Sequence, residues 1–301
     1  MRIALAATCL GDAMFPQAPI AVVRLLERLG HTVVVPERQA CCGQMHVNTG
    51  YQREAVPVVR NHVRTFGPVA DGEWDAVVVP SGSCTGSIRH QQAMVLDRAG
   101  LAAEARTATA VAARTYELSE LLVDVLGVTE VGAWFPHRVT YHPTCHSLRM
   151  LGVGDRPLRL LRAVEDIELA DLPEAAGCCG FGGTFALKNS DTSAAMLADK
   201  VRHVTGTGAE FLTAGDYSCL MHLGGGLSRH ARRGRSERPA AQEATGPART
   251  TPAVRTVHLA EILASTREQP WSPGSADRTP MSESSGTMRS TPAGNAKGAA
   301  R

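Results

Sequence analysis

The chain has 301 residues, is 44% hydrophobic and carries a formal net charge of +2. That length holds two ordinary domains or one large one around a substantial core, and the near-balance of charge gives no field that would draw nucleic acid or an acidic membrane. No apolar run reaches the roughly 18 residues of a membrane span.

The opening RIALAATC, ending at Cys9, reads as a buried strand. A secretion signal is not expected there, because the eight residues before Cys9 are too few for a charged region plus an apolar core. A cytoplasmic setting with reduced thiols is expected instead. An apolar stretch of helical period follows, with Ile20, Val23, Leu26 and Leu29 closed by Gly30. A second strand in HTVVV leads to the adjacent pair Cys41 and Cys42 and to Gly43. A helix is expected at about 51–66, although Pro57 falls inside it, and DAVVVPSGSC gives a third strand that delivers Cys84.

The chain then repeats itself. RVTYHPTC is a strand ending at Cys145; Leu158, Leu161 and Val164 mark a helix; IELADLPEAAGCCG carries a strand into Cys178, Cys179 and Gly180; a helix is expected at about 191–204; and AEFLTAGDYSC delivers Cys219. The first four cysteines recur in the second half at offsets of 136, 137, 137 and 135 residues. RTYELSELL, from Arg114, matches RTVHLAEIL, from Arg255. Such self-similarity is the mark of a duplicated unit. The expected fold is therefore α/β, with two pseudo-symmetric halves, each a small parallel sheet flanked by helices. The halves are placed at residues 1–128 and 136–266. Within the second, about 229–252 is rich in Arg, Pro, Ala and Gly without helical period and is expected to be a mobile basic insertion; 267–301 has the composition of a disordered tail. In such sheets ligands gather beyond the carboxyl ends of the strands, where all eight cysteines fall.

Adjacent cysteines make a poor disulfide pair, because neighbouring Cα atoms are about 3.8 Å apart and a relaxed bridge needs about 5.5 to 6 Å. Four disulfides would suit a small secreted scaffold far denser in cysteine. Metal is the better reading. Structural zinc favours two Cys-x-x-Cys knuckles, whereas an iron–sulfur cluster has several irons to share between adjacent thiols and tolerates wide spacing. The glycines after each pair, Gly43 in the first half and Gly180, Gly182 and Gly183 in the second, allow a sharp turn that brings backbone N–H groups to the sulfurs.

The arrangement of Cys9, Cys41-Cys42-Gly43 and Cys84, followed by Cys145, Cys178-Cys179-Gly180 and Cys219, resembles the duplicated cysteine-rich "CCG" domain found in heterodisulfide reductase and in the iron–sulfur subunit of glycolate oxidase. Without a ferredoxin-type cysteine run ahead of it, and with HPTCHSLRMLG, GCCGFGGTFA and CLMHLGGGLSR in the second half, it is most similar to the lactate-utilisation protein A family. That resemblance implies a cytoplasmic iron–sulfur subunit, with one or two clusters of the [4Fe-4S] type per chain, in a complex oxidising L-lactate to pyruvate. It implies two partner subunits, one of them a ferredoxin-type iron–sulfur protein, and a small 2-hydroxy acid as substrate. The eight cysteines are its expected metal ligands. The family pattern ends in a fifth cysteine per domain; here those positions hold Ser87 and His222, which counts against the alternative of a thiol–disulfide reductase. A glycolate-oxidising subunit and a zinc-binding structural module are the other readings. His146 and His222 are candidates for proton transfer or ligation, with His142 and His46 behind them. No flavin or nicotinamide fingerprint occurs.

Overall fold

The computed structural model describes residues 1–236 and 254–273. Eight short strands form two four-stranded, wholly parallel sheets. The first contains β1 (Arg2–Leu5), β2 (Thr32–Val34), β3 (Ala76–Val79) and β4 (Thr115–Glu117) in the order β2-β1-β3-β4. The second contains β5 (Arg138–Tyr141), β6 (Glu168–Ala170), β7 (Phe211–Ala214) and β8 (Arg255–His258) in the order β6-β5-β7-β8. Ile3 pairs with Ala76, and Val139 with Phe211, so the two sheets share register as well as order. The central strands β3 and β7 are buried along their whole length, which is why AVVV and FLTA read as apolar runs without alternation.

The expected helices are present as Gln52–Phe66 and Ser190–Gly206. Pro57 does not break the first, because it lies on the exposed side, where water can satisfy the Arg53 carbonyl that it leaves free. The helix Gln17–Arg28 buries Ala18, Ala21, Val22, Leu25 and Leu26. Of the residues expected to define its apolar face, Ile20, Val23 and Leu29 are only half-buried. The face is displaced because this helix is covered by Leu259–Ala264 of the second half as well as by its own sheet.

That contact is reciprocal. Leu118–Glu120, which follows β4, packs on Arg156–Arg162 of the second half, so each half lends a helix to the other. Leu25, Leu26, Leu118, Leu122, Leu160, Leu161, Ile262 and Leu263 are all fully buried in one core that spans both halves. Each such side chain contributes about 1.5–3 kcal/mol of burial, so the halves are held as one body. The matched segments RTYELSELL and RTVHLAEIL are a fourth strand and this lent helix. Each turns from strand to helix through a capping box, Glu117 with Glu120 and His258 with Glu261.

The helix Tyr217–Ser236 continues into the segment expected to begin a basic loop at 229. Residues 237–253 and 274–301, which hold the rest of that segment and most of the expected tail, lie outside the described residues. Residues 267–273 depart from the expected tail. The Trp271 ring packs edge-on against Phe211 at 5.2 Å, and its indole N–H donates to Glu261 at 3.1 Å. An aromatic residue with a buried face and a partnered N–H outweighs the polar composition around it. Among the described residues, no helix is long and apolar enough to cross a membrane.

Candidate metal centre

All eight cysteines are free thiols, and the fold gathers them into two quartets at the carboxyl ends of the strands. Cys9 follows β1, Cys41 and Cys42 lie between β2 and the helix Gln44–Thr49, and Cys84 sits in the helix Gly82–His90 after β3. Cys145, Cys178, Cys179 and Cys219 occupy the matching places around β5, β6 and β7.

The thiols touch in the same sequence in both quartets. Cys9 meets Cys41, Cys41 meets Cys42, and Cys42 meets Cys84. Cys145 meets Cys178, Cys178 meets Cys179, and the Cys179 thiol donates to the Cys219 sulfur at 3.3 Å.

The turns that make this possible are paired too. Gly43 and Gly180 have φ of 90° and 88°, in the left-handed region that glycine enters without strain. Their N–H groups donate to the sulfurs of Cys41 and Cys178, each at 3.4 Å. Thr8 and Thr144, the residues before Cys9 and Cys145, are also at positive φ, 65° and 51°. A non-glycine residue there costs about 1–3 kcal/mol, a strain that clusters at functional sites.

Electrostatics follow the same pattern. Hydrogen bonds from the Cys42 and Cys9 thiols and from the Gly43 N–H lower Cys41 to about 2. Bonds from Cys145 and Cys179 and from the Gly180 N–H do the same to Cys178, also to about 2. Hydrogen bonding to that thiolate, with burial, pushes Cys9, Cys42, Cys145 and Cys179 well up. Protein groups alone thus favour the thiolate at Cys41 and at Cys178. A bound cation would favour ionisation of Cys9, Cys42, Cys145 and Cys179 as well, and this donor set suits a soft, multiply charged metal group.

The surroundings differ between halves. Beside the second quartet, Lys200 is 2% exposed, and its Nζ donates to the carbonyls of Glu174 at 2.5 Å and Ala175 at 3.3 Å, pinning the chain before Cys178. One ring nitrogen of His142 and the sulfurs of Cys179 and Cys219 all lie within 4.8 Å of one another. Burial lowers His142 to about 4. The first quartet lines a narrow cleft whose far wall is Phe181, Asp216 and Tyr217 of the second half.

The two quartets are joined through Asp216, which is 1% exposed. Its Oδ1 accepts the Ser218 N–H at 3.0 Å and the Ser218 hydroxyl at 2.6 Å. Its Oδ2 accepts the Ser83 N–H at 2.8 Å and the Ser81 hydroxyl at 3.2 Å. From sequence, Asp216 suggests only a residue that sets the turn before Cys219. Its reach to the other half has no sequence signal, since 133 residues separate it from Ser83.

The remaining candidates are placed as follows. His146 bridges the halves, with Nε2 3.2 Å from the side-chain nitrogen of Gln44 and Nδ1 3.7 Å from the Cys145 sulfur. His222 Nε2 lies 3.5 Å from the Ser193 hydroxyl, and its ring is 5.7 Å from the Phe181 ring. The Ser87 hydroxyl is buried without a hydrogen-bond partner. His46 is half-buried, and its Nδ1 likewise has none. Gly182 and Gly183 have positive φ, and a Cβ on Gly182 would come within 2.8 Å of Phe185, so both serve the turn after Cys179.

The family described as Cysteine-rich domain matches this chain twice, over residues 3–89 and 139–224, one match per quartet. The chain is 39% identical over 268 residues to "Lactate utilization protein A" of Oceanobacillus iheyensis, covering 89% of this chain and 98% of the relative. It is 41% identical over 263 residues to the protein of the same name from Geobacillus kaustophilus, covering 87% and 98%.

Proposed function

The chain belongs to the lactate-utilisation protein A family, built on two cysteine-rich domains, and from that premise we propose that it is an iron–sulfur redox subunit of a complex oxidising L-lactate to pyruvate. The observation that carries this reading is the pair of four-thiol quartets, alike in contact order and lying where parallel sheets present their ligands.

The donor chemistry fits the group. Cys9, Cys41, Cys42 and Cys84 would hold one cluster, and Cys145, Cys178, Cys179 and Cys219 the other. A bound cluster supplies a one-electron reservoir. The Gly43 and Gly180 N–H groups offset negative charge on the sulfurs, as does Lys200 in the second half. Four thiols per half suit a four-iron cluster. The serine at 87 and the histidine at 222 leave no fifth thiolate for thiol–disulfide chemistry.

Oxidising a 2-hydroxy acid to a 2-oxo acid releases two electrons and two protons. The cleft beside the first quartet is where a small substrate or an electron-transfer partner would approach, with His146 and His222 as the candidates for proton handling. Two partner subunits, one of ferredoxin type, and a cytoplasmic location complete the reading. One observation favours a second reading: an imidazole and two thiols within 4.8 Å also suit zinc, as in a structural module.

The test is complementation. A strain lacking this chain should regain growth on L-lactate with the wild-type sequence and fail with Cys41→Ser or Cys178→Ser. Full growth with either variant, despite loss of its metal, would remove the redox assignment.

A further inference from the structure

We propose that the imidazole of His142 is a direct ligand of the metal group in the second half, so that the two halves hold chemically unlike centres. The inference rests on the reading of the quartets as metal sites.

His142 directly follows β5, and its backbone N–H donates to the Thr213 carbonyl at 2.8 Å, extending the ladder between β5 and β7 by one residue. That bond fixes the ring at the carboxyl ends of the two strands whose loops carry Cys145 and Cys219. The ring is 1% exposed, and neither nitrogen has a hydrogen-bond partner. Buried polar groups are almost always satisfied, so an orphaned imidazole requires an explanation. Its place beside the Cys179 and Cys219 sulfurs supplies one, since this is the group of three ligating atoms that the described residues bring within 4.8 Å. A neutral imidazole is a common metal ligand.

The repeat provides an internal control. With the Cys9-to-Cys145 offset, His142 corresponds to Ala6, which has no donor atom. His62 in the first half is also buried without a partner, but it stacks on Phe66 at 4.6 Å and joins no group of ligating atoms. His146 reaches Gln44 through Nε2 and the Cys145 sulfur through Nδ1, and His222 reaches the Ser193 hydroxyl, so each of these rings has a polar partner. His142 has none and lies beside two sulfurs, which makes it the histidine placed to ligate.

The full chain, reconstituted anaerobically with iron and sulfide, is reduced and examined by pulsed electron paramagnetic resonance with natural-abundance and with ¹⁵N-labelled histidine. The expected result is a strongly coupled nitrogen that responds to the label, is lost in His142→Ala, and persists in His146→Ala and His222→Ala. Labelled wild type decides whether any histidine is bound even where His142→Ala does not fold, and the other two variants then assign it. Iron and sulfide present without a coupled histidine nitrogen, or a coupling lost in His146→Ala or His222→Ala instead, overturns the proposal and leaves the cluster reading standing. Where the wild-type protein takes up zinc without sulfide, the cluster reading fails, and zinc-edge X-ray absorption decides His142 by whether His142→Ala removes a nitrogen neighbour. Uptake of neither metal overturns both.

Discussion

The carboxylate of Asp216 accepts the backbone N–H of Ser83 at 2.8 Å across the junction of the two halves. Ser83 and Ser218 each precede a cysteine of a different quartet by one residue, so one buried carboxylate positions both Cys84 and Cys219. Asp216→Ala would leave the Ser83 and Ser218 N–H groups without their acceptor. At about 1.5–3 kcal/mol for a bond to a charged group, chemical denaturation should show a loss of about 3–5 kcal/mol, with metal lost from both halves. A loss below about 1 kcal/mol would show that the junction does not depend on this residue.

The junction is also tight. A Cβ on Gly82 would fall 1.9 Å from the Ser147 hydroxyl of the second half. Gly82→Ala should therefore cost about 1–3 kcal/mol, and adding Ser147→Ala should recover part of that cost in a double-mutant cycle. Simple additivity of the two changes would contradict the contact.

Gly180 and Gly43 share a backbone conformation but not a neighbour. A Cβ on Gly180 would meet the Ser193 carbonyl oxygen at 2.7 Å, whereas one on Gly43 would meet a Val59 methyl at 3.0 Å. Both alanine variants carry the positive-φ penalty of about 1 kcal/mol. Only Gly180→Ala must also move backbone. Thermal unfolding should rank Gly180→Ala below Gly43→Ala, and the reverse ranking would count against the geometry of the second turn.

Glu117 gives a pH signature. It is 2% exposed, and burial raises its carboxyl to about 7. With the folded value above the unfolded one, the native state holds the proton over that interval while the unfolded chain has lost it. This contribution is complete below about pH 4.5 and is lost as pH rises through about 7. Glu117→Gln retains an acceptor for the Ser119 N–H and hydroxyl but does not titrate. The stability of this variant relative to wild type should rise by a few kcal/mol, about 3, between those limits. A constant difference would show that Glu117 is not held protonated.

Much of the architecture was legible because it is written locally. Apolar runs such as AVVV and FLTA end directly at the cysteines, and the repeat shows the same chemistry twice. What was not legible depends on distant partners. The fourth strands are three or four residues long and include Arg255 and Glu117, so they carry no run or alternation to read. Trp271 sits in polar sequence and gains its place from Phe211 and Glu261. His142 and His146 both flank Cys145 in sequence, yet the strand ladder leaves the His142 ring unpartnered beside the Cys179 and Cys219 sulfurs, while the turn sets His146 between the Cys145 sulfur and Gln44 of the other half. The displaced face of Gln17–Arg28 has the same cause, a covering helix that arrives from the far end of the chain.

An iron–sulfur cluster in each quartet is the property on which the proposed function stands, and purifying the full chain without oxygen and measuring iron, acid-labile sulfide and zinc per polypeptide decides it. About eight irons and eight sulfides are expected, falling to about four of each in Cys178→Ser. Zinc without sulfide, or no bound metal, would contradict it.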